Sequence, residues 1–366
     1  MGTSGAHTFA KLMVGHFAGE PFVLLDVGAS GGISPMWDAF KPNLRAFGFE
    51  PLLAECARLN QSSGPGIEFV PAFVAGSPVP EAQHHPMPQW WDNRFWQRTS
   101  AVEALKLLNT EMSAIFNRGD VVELSKDSVT IDEFVNSRGL DADFLKIDTD
   151  GTDFEVLRGA EKILPRLLGV MIEAEFHGSL EPRANTFANM DIYLREAGFT
   201  LADLQLHRYS RAALPRRFIQ QSPSDTEFGQ LRWADAIYLR DGAFPGYADL
   251  WNWRPSTAKL VKLISLYATL GLEDCAAELL LTFDGELRKH MDVNQALDAL
   301  TPSDLGSENI SYREHMDAFK ESPARFYGTV SDDDLHRQID AFRQTTSWRM
   351  TAPLRYVGDL LKALRR

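Results

Sequence analysis

Apolar residues come in short runs along the first two thirds of the chain, each closed by glycines or a carboxylate, and this rhythm predicts an α/β sheet. Val23-Leu24-Leu25-Asp26-Val27 suits a strand buried on both faces, and Gly28-Ala29-Ser30-Gly31-Gly32 then marks a sharp turn. Phe47-Gly48-Phe49 is a second apolar stretch, ended by Glu50. Thr130 to Val135 reads as a short helix, and Asp143 to Ile147 as a strand ending in the acidic turn Asp148-Thr149-Asp150-Gly151. Phe154, Val156, Leu157 and Leu164 give the broken period of an amphipathic helix, and Gly169 to Phe176 is another strand with polar residues at its end. Thr200 to Arg208 and Arg232 to Arg240 predict two further strands joined by a polar, proline-containing connection, an antiparallel edge to a doubly wound sheet.

Past Gly242 to Pro245 the pattern changes. Leu260, Leu263, Ile264, Tyr267 and Leu270 form a helical stripe, and Ala276, Ala277, Leu280 and Leu281 form another after Gly271. The expected division is a domain over residues 1–242 and an α-helical extension over 243–366, the latter a cap packed on the first. Near the end, Leu354, Val357, Leu361 and Leu364 share one face of a helix that Arg349, Arg355, Lys362, Arg365 and Arg366 make basic. Such a helix suits peripheral contact with an anionic membrane; docking on the protein's own surface is the alternative.

Composition narrows the class. A 366-residue chain with 44% apolar residues can bury a full core. No stretch is long and uncharged enough to span a membrane, and the start lacks the marks of a secretion signal, so the cytoplasm is the expected compartment. Two cysteines imply neither a disulfide framework nor a thiolate metal site. A formal charge of -13 argues against nucleic acid as a partner.

The glycine turn and Glu50 outline a nucleoside-cofactor site at the carboxyl ends of the first two strands. A dinucleotide fingerprint requires glycines where Ser30 and Ile33 stand, and the chain has no phosphate-binding G-x-x-x-x-G-K-[ST] loop. S-adenosylmethionine, which carries no phosphate, fits better: the turn packs on its amino acid and sulfonium part, and Glu50 accepts hydrogen bonds from the ribose hydroxyls. The cofactor residues expected are Asp26, Gly28, Ser30, Glu50 and Asp148.

These segments together resemble the FkbM-type methyltransferases, which are S-adenosylmethionine-dependent O-methyltransferases. The matching pieces are LDVGASGG from Leu25, the Glu50-Pro51 pair, TIDEF from Thr130, DFLKIDTDGTDFEVLRGAEKIL from Asp143 and the strand Ala234 to Leu239. The family often has Asn where Ser30 stands and Glu where Asp150 stands. The resemblance spans roughly residues 20 to 242. It implies a Rossmann-like class I methyltransferase fold, a seven-stranded mixed sheet with an antiparallel terminal hairpin. The tail string SWRMTAPLR also looks like tails of bacterial cell-surface polysaccharide enzymes, which turns the expected acceptor toward a sugar hydroxyl. A polyketide, lipid or peptide acceptor is the rival reading, as is a non-catalytic scaffold.

Removing the hydroxyl proton calls for a general base. His177, just past the fifth large strand, is the expected base, with Asp148 as the second catalytic candidate; His207 and Tyr209 are weaker alternatives. Asp148, Asp150, Glu173 and Glu175 offer hard oxygen ligands for Mg²⁺, but Asp150 and Asp153 read equally as solvated charges starting a helix. The metal is the less favoured reading and no ligand is assigned to one. Trp90, Trp91, Phe95 and Trp96 lie in a polar stretch that suits either stacking on a sugar or filling an apolar patch. Arg98-Thr99-Ser100 resembles a serine-containing segment of the family, without an assigned role.

Overall fold

The computed structural model describes residues 9–10, 12–17, 19–76, 96–107, 123–178, 184–220, 224–302 and 310–326. The described residues include nine strands: β1 (Phe22–Val27), β2 (Leu44–Phe49), β3 (Ile67–Val70), β4 (Phe73–Val74), β5 (Ser128–Val129), β6 (Phe144–Ile147), β7 (Gly169–Glu175), β8 (Phe199–Tyr209) and β9 (Gln230–Arg240). Seven of them form one sheet in the order β3-β2-β1-β6-β7-β9-β8, and β4 and β5 pair separately. β1, β2, β3, β6 and β7 run parallel, while β9 is antiparallel to both β7 and β8. This is the expected mixed sheet with its terminal hairpin.

Helices α1 (Leu53–Ser62), α2 (Ile131–Arg138), α3 (Asp153–Arg158) and α4 (Phe187–Glu196) connect the strands. α2 starts where Thr130 and Glu133 form a reciprocal capping box and stops at Gly139 in the left-handed region, which is why the TIDEF segment makes a short helix. On one face of the sheet, Val170, Ile172 and Ala174 of β7 and Leu145 and Ile147 of β6 share a buried cluster with Phe134, Phe154 and Met190. Phe22 stacks on Phe40 with ring centres 3.9 Å apart, and Trp37 bridges from there to Phe144 at 4.8 Å.

The chain divides into two compact units, 1–300 and 301–366. In the first, α5 (Thr257–Thr269) is followed by α6 (Glu273–Thr282) and α7 (Val293–Leu300). α5 is buried from Ala258 to Thr269, lysines included. Lys259 Nζ donates to Asp143 Oδ1 at 2.7 Å and to the Ala142 carbonyl at 3.0 Å, while Lys262 Nζ lies 3.1 Å from Asp143 Oδ2. Asp143, fully buried, also accepts from Val23 N at 2.8 Å, so this carboxylate joins α5 to the amino ends of β1 and β6. Tyr267 Oη donates to the Arg240 carbonyl, fixing the same helix to the end of β9. In the second unit, Ser311 and Glu314 cap α8 (Tyr312–Glu321), and the Phe326 ring meets His315 and Phe319 edge-on. The tail helix expected over 346–366 lies outside the described residues.

Candidate active site

Three strand ends meet at the glycine turn. Gly28 has φ +79, and a Cβ on it would come within 1.7 Å of the Asp148 carbonyl oxygen. Asp148 N donates to Val27 O at 3.0 Å, and Gly28 N and Ala29 N both donate to Phe49 O, at 3.2 and 3.1 Å. Gly28 is therefore required by the protein's own backbone, whatever the turn holds. The room for a ligand opens further along: Ser30 is exposed, and Gly31, at φ +82, has nothing within 4 Å of a built Cβ.

Glu50 follows β2 and is 6% exposed. Its Oε1 accepts from Leu52 N at 2.7 Å, and its other oxygen has no hydrogen bond among the described residues. Burial raises the Glu50 pKa against that hydrogen bond, and Glu55 adds to the rise.

Lys146 is a site residue the sequence reading missed. It stands directly across from Asp26 in the β1–β6 register and lies 3.1 Å from Asp26 Oδ1 and 3.2 Å from Asp148 Oδ2. Burial disfavours its charge, but the two carboxylates outweigh that and raise its pKa. Asp26 is 2% exposed, and burial raises its pKa while Lys146 opposes the rise; Asp148 is 45% exposed. Lys146 thus ties Asp26 to Asp148. The signal was a lysine interrupting a four-residue apolar strand.

The acidic turn after β6 departs from the solvated-helix-start expectation. Asp153 is fully buried and accepts from Thr149 N at 2.7 Å, Gly151 N at 3.0 Å and Asn185 Nδ2 at 3.2 Å. It is the internal brace of the turn, while Asp150 is exposed at φ +54. Glu173, paired with Asp235 across β7 and β9, is pushed up to about 9 by burial and by Asp153, Asp148, Asp150 and Asp235. Glu175 accepts from Arg232 Nη2 at 2.7 Å. Among the described residues no cluster of His, Cys, Asp and Glu could hold a metal ion.

His177 lies beyond β7 with Nε2 2.9 Å from the Leu231 carbonyl. A carbonyl accepts only from N–H, so the proton sits on Nε2 and the basic lone pair on Nδ1. His207 is different: Nδ1 meets Asp225, Nε2 is 3.3 Å from Asp235, and the ring stacks on Trp233 at 3.5 Å. Burial opposes its charge, but the hydrogen bonds and charges of Asp225 and Asp235 push it up to about 9. Tyr209 is pushed up to about 12, chiefly by burial.

Thr99 and Ser100 are buried, and Ser100 is joined twice to Ser210: N to O at 2.8 Å and Oγ to Oγ at 2.6 Å. This segment clasps the β8–β9 connection. The aromatic positions Trp90, Trp91 and Phe95 lie outside the described residues. A cavity of about 470 Å³ is lined by Pro21, Asn43, Arg45, Gly66 and Glu68 at the amino ends of β2 and β3, away from this site.

Residues 28–201 match the family model described as Methyltransferase FkbM domain. The match to that family covers just under half of the chain. No curated protein matches the chain in sequence. Among solved structures, the chain is similar to a precorrin-6y C5,15-methyltransferase from Geobacter metallireducens, at 13% identity and TM-score 0.26 over 63% of this chain and 85% of that one. It is also similar to a TehB-like SAM-dependent methyltransferase from Corynebacterium glutamicum, at 12% identity and TM-score 0.24 over 63% and 87%. A third is the N-terminal domain of EvdMO1 with SAH bound, at 10% identity and TM-score 0.29 over 65% and 82%. Likenesses this distant have no bearing on substrate. The FkbM match begins at Gly28 and ends within β8, so it takes in the glycine turn, Glu50, Lys146, Asp148 and His177.

Proposed function

We infer that the protein is an S-adenosylmethionine-dependent O-methyltransferase whose acceptor is a sugar hydroxyl in cell-surface polysaccharide or glycan assembly, working in the cytoplasm. The observation that carries this reading is Glu50: a buried carboxylate at the end of β2, one oxygen spent on Leu52 N and the other without a hydrogen bond among the described residues, beside an open glycine turn. A ribose diol is the ligand that such an oxygen suits. When bound, the cofactor supplies a methyl group already electrophilic on its sulfonium. Asp148, paired with Lys146, would hold the cofactor's ammonium, and the turn at Ser30 would pack on its amino acid part. His177 takes the acceptor hydroxyl proton on Nδ1, with Nε2–H anchored on Leu231. No step in this reading needs Mg²⁺.

Calorimetric titration with S-adenosylmethionine and S-adenosylhomocysteine tests the reading. Both bind the native chain, and Glu50→Ala weakens both by about 10- to 100-fold, the loss expected when a charged hydrogen-bond partner goes. A folded protein that binds neither overturns it. Sugar-nucleotide and lipid-linked glycan acceptors, screened with the binding-competent protein, then separate the sugar reading from polyketide, lipid and peptide acceptors.

A further inference from the structure

The connection between β8 and β9 joins basic and apolar side chains at the surface of an acidic protein. Arg208, Arg216 and Arg217 are exposed, and among the described residues none of the three is in an ion pair. Arg211 stands beside them, its guanidinium donating to Gln230 Oε1. Burial and the nearby charge of Arg98 both lower the Arg211 pKa, a sign of crowded positive charge. The carboxylates at hand are Asp225, which is engaged by His207, and Glu227. In the same connection Leu214, Ile219 and Phe228 are 66%, 66% and 64% exposed.

The described parts of the connection, 210–220 and 224–229, are tied together by hydrogen bonds. Ile219 N donates to Asp225 O and Glu227 N to Arg217 O, both at 2.9 Å, which makes a short antiparallel ladder. Phe218 packs inward against Ala101, Val102 and Tyr209, so the pleat turns its neighbours Arg217 and Ile219 outward together. Ser210 Oγ accepts from Arg216 N at 3.0 Å and ties the ladder to Ser100. Ordered backbone presenting large apolar side chains to water is unfavourable unless something covers them.

We propose that this connection docks the protein on an anionic membrane surface, the arginines meeting lipid phosphates and Leu214, Ile219 and Phe228 entering the interfacial layer. A soluble phosphate would satisfy the arginines but leave the apolar side chains uncovered; a bilayer interface takes both. The net charge of -13 does not oppose this, because fields are screened within about 10 Å and only the facing patch is felt. The connection leaves the sheet at the end where β7 finishes, and the Gln230 amide lies 3.5 Å from His177. Docking here turns that end of the sheet toward the bilayer. Docking of this connection calls on none of residues 346–366 and does not depend on the methyl acceptor.

Vesicle flotation of the full chain tests it, using phosphatidylcholine with and without phosphatidylglycerol. The native chain floats with the anionic vesicles only. Arg216→Glu with Arg217→Glu lowers partitioning by at least about tenfold, and Leu214→Ser with Ile219→Ser lowers it as well. Because all four side chains are exposed, circular dichroism and melting stay native, and a fluorophore on Phe228→Cys shifts to the blue with anionic vesicles. The same loop dependence persists in a chain lacking 346–366. Flotation unaffected by either loop pair overturns the proposal. So does charge reversal that abolishes inorganic-phosphate binding but not flotation, and so does a loop pair whose effect is to split a dimer rather than to release vesicles.

Discussion

Gly28 shows how little freedom one position in this site has. Alanine there would place Cβ 1.7 Å from the Asp148 carbonyl oxygen and hold a positive φ of +79. Gly28→Ala is expected to cost about 3 kcal/mol or more, read as a fall in urea midpoint, because the turn must part from β6. Two other residues make stability depend on pH. His207 is raised from 6.5 to about 9, so its contribution is complete below 6.5 and lost as pH climbs through 9. Glu173 is raised from 4.5 to about 9, so between those values the folded state keeps a proton that the unfolded chain releases, and stability falls as pH rises. His207→Asn should therefore cost about 3 kcal/mol below pH 6.5 and almost nothing well above pH 9. Glu173→Gln should gain on the native protein steadily from pH 4.5 to about 9. Melting curves across pH check both; parallel curves for native and variants would show that neither group titrates this way.

Among the elements, α5 is where pattern and packing part company. Leu260, Leu263, Ile264, Tyr267 and Leu270 read as one apolar stripe, which makes Lys259 and Lys262 look like the wet face. Both lysines are buried instead, because Asp143, more than a hundred residues earlier, meets them at the amino end of β6. Asp143→Ala takes the buried carboxylate from both lysines, leaving Lys259 with the exposed Asp141 at 3.2 Å and Lys262 with the exposed Glu20 at 3.6 Å, and it leaves Val23 N without its acceptor, at a cost of about 3–5 kcal/mol. Replacing all three charges, with Asp143→Leu, Lys259→Met and Lys262→Met together, should recover much of that loss. If the triple variant is no better than the single one, the cluster does more than cancel charge. The hairpin of β8 and β9 was readable for the opposite reason: its strand pattern and turn residues are local. So was α2, whose capping box lies within four consecutive residues.

At the scale of the molecule, the sequence announces the cofactor side far more clearly than the side where His177 stands. Gly28 and Glu50 sit at strand ends, where a break in the apolar pattern is visible. Lys146, Arg232 and the Ser100–Ser210 clasp are polar residues whose partners are brought to them only by folding, so a linear pattern gives no hint of the pairing. The same holds for the boundary near 242, where composition changes but contacts do not end: Gly242 sits against the Trp253 ring, and Tyr267 holds Arg240. A chain ending at Leu300 keeps every one of these contacts and should melt within a few degrees of the full protein and bind S-adenosylhomocysteine equally well. A chain ending at Gly242 bares Asp143 and the amino ends of β1 and β6. It also loses the apolar cover of Leu260, Leu263 and Ile264, each worth about 1.5–3 kcal/mol, a sum comparable to a domain's whole stability. It should be recovered unfolded or aggregated. Should the shorter chain instead fold and bind the ligand with native affinity, α5 to α7 are an appendage to a self-sufficient catalytic domain, and the buried lysines serve attachment alone.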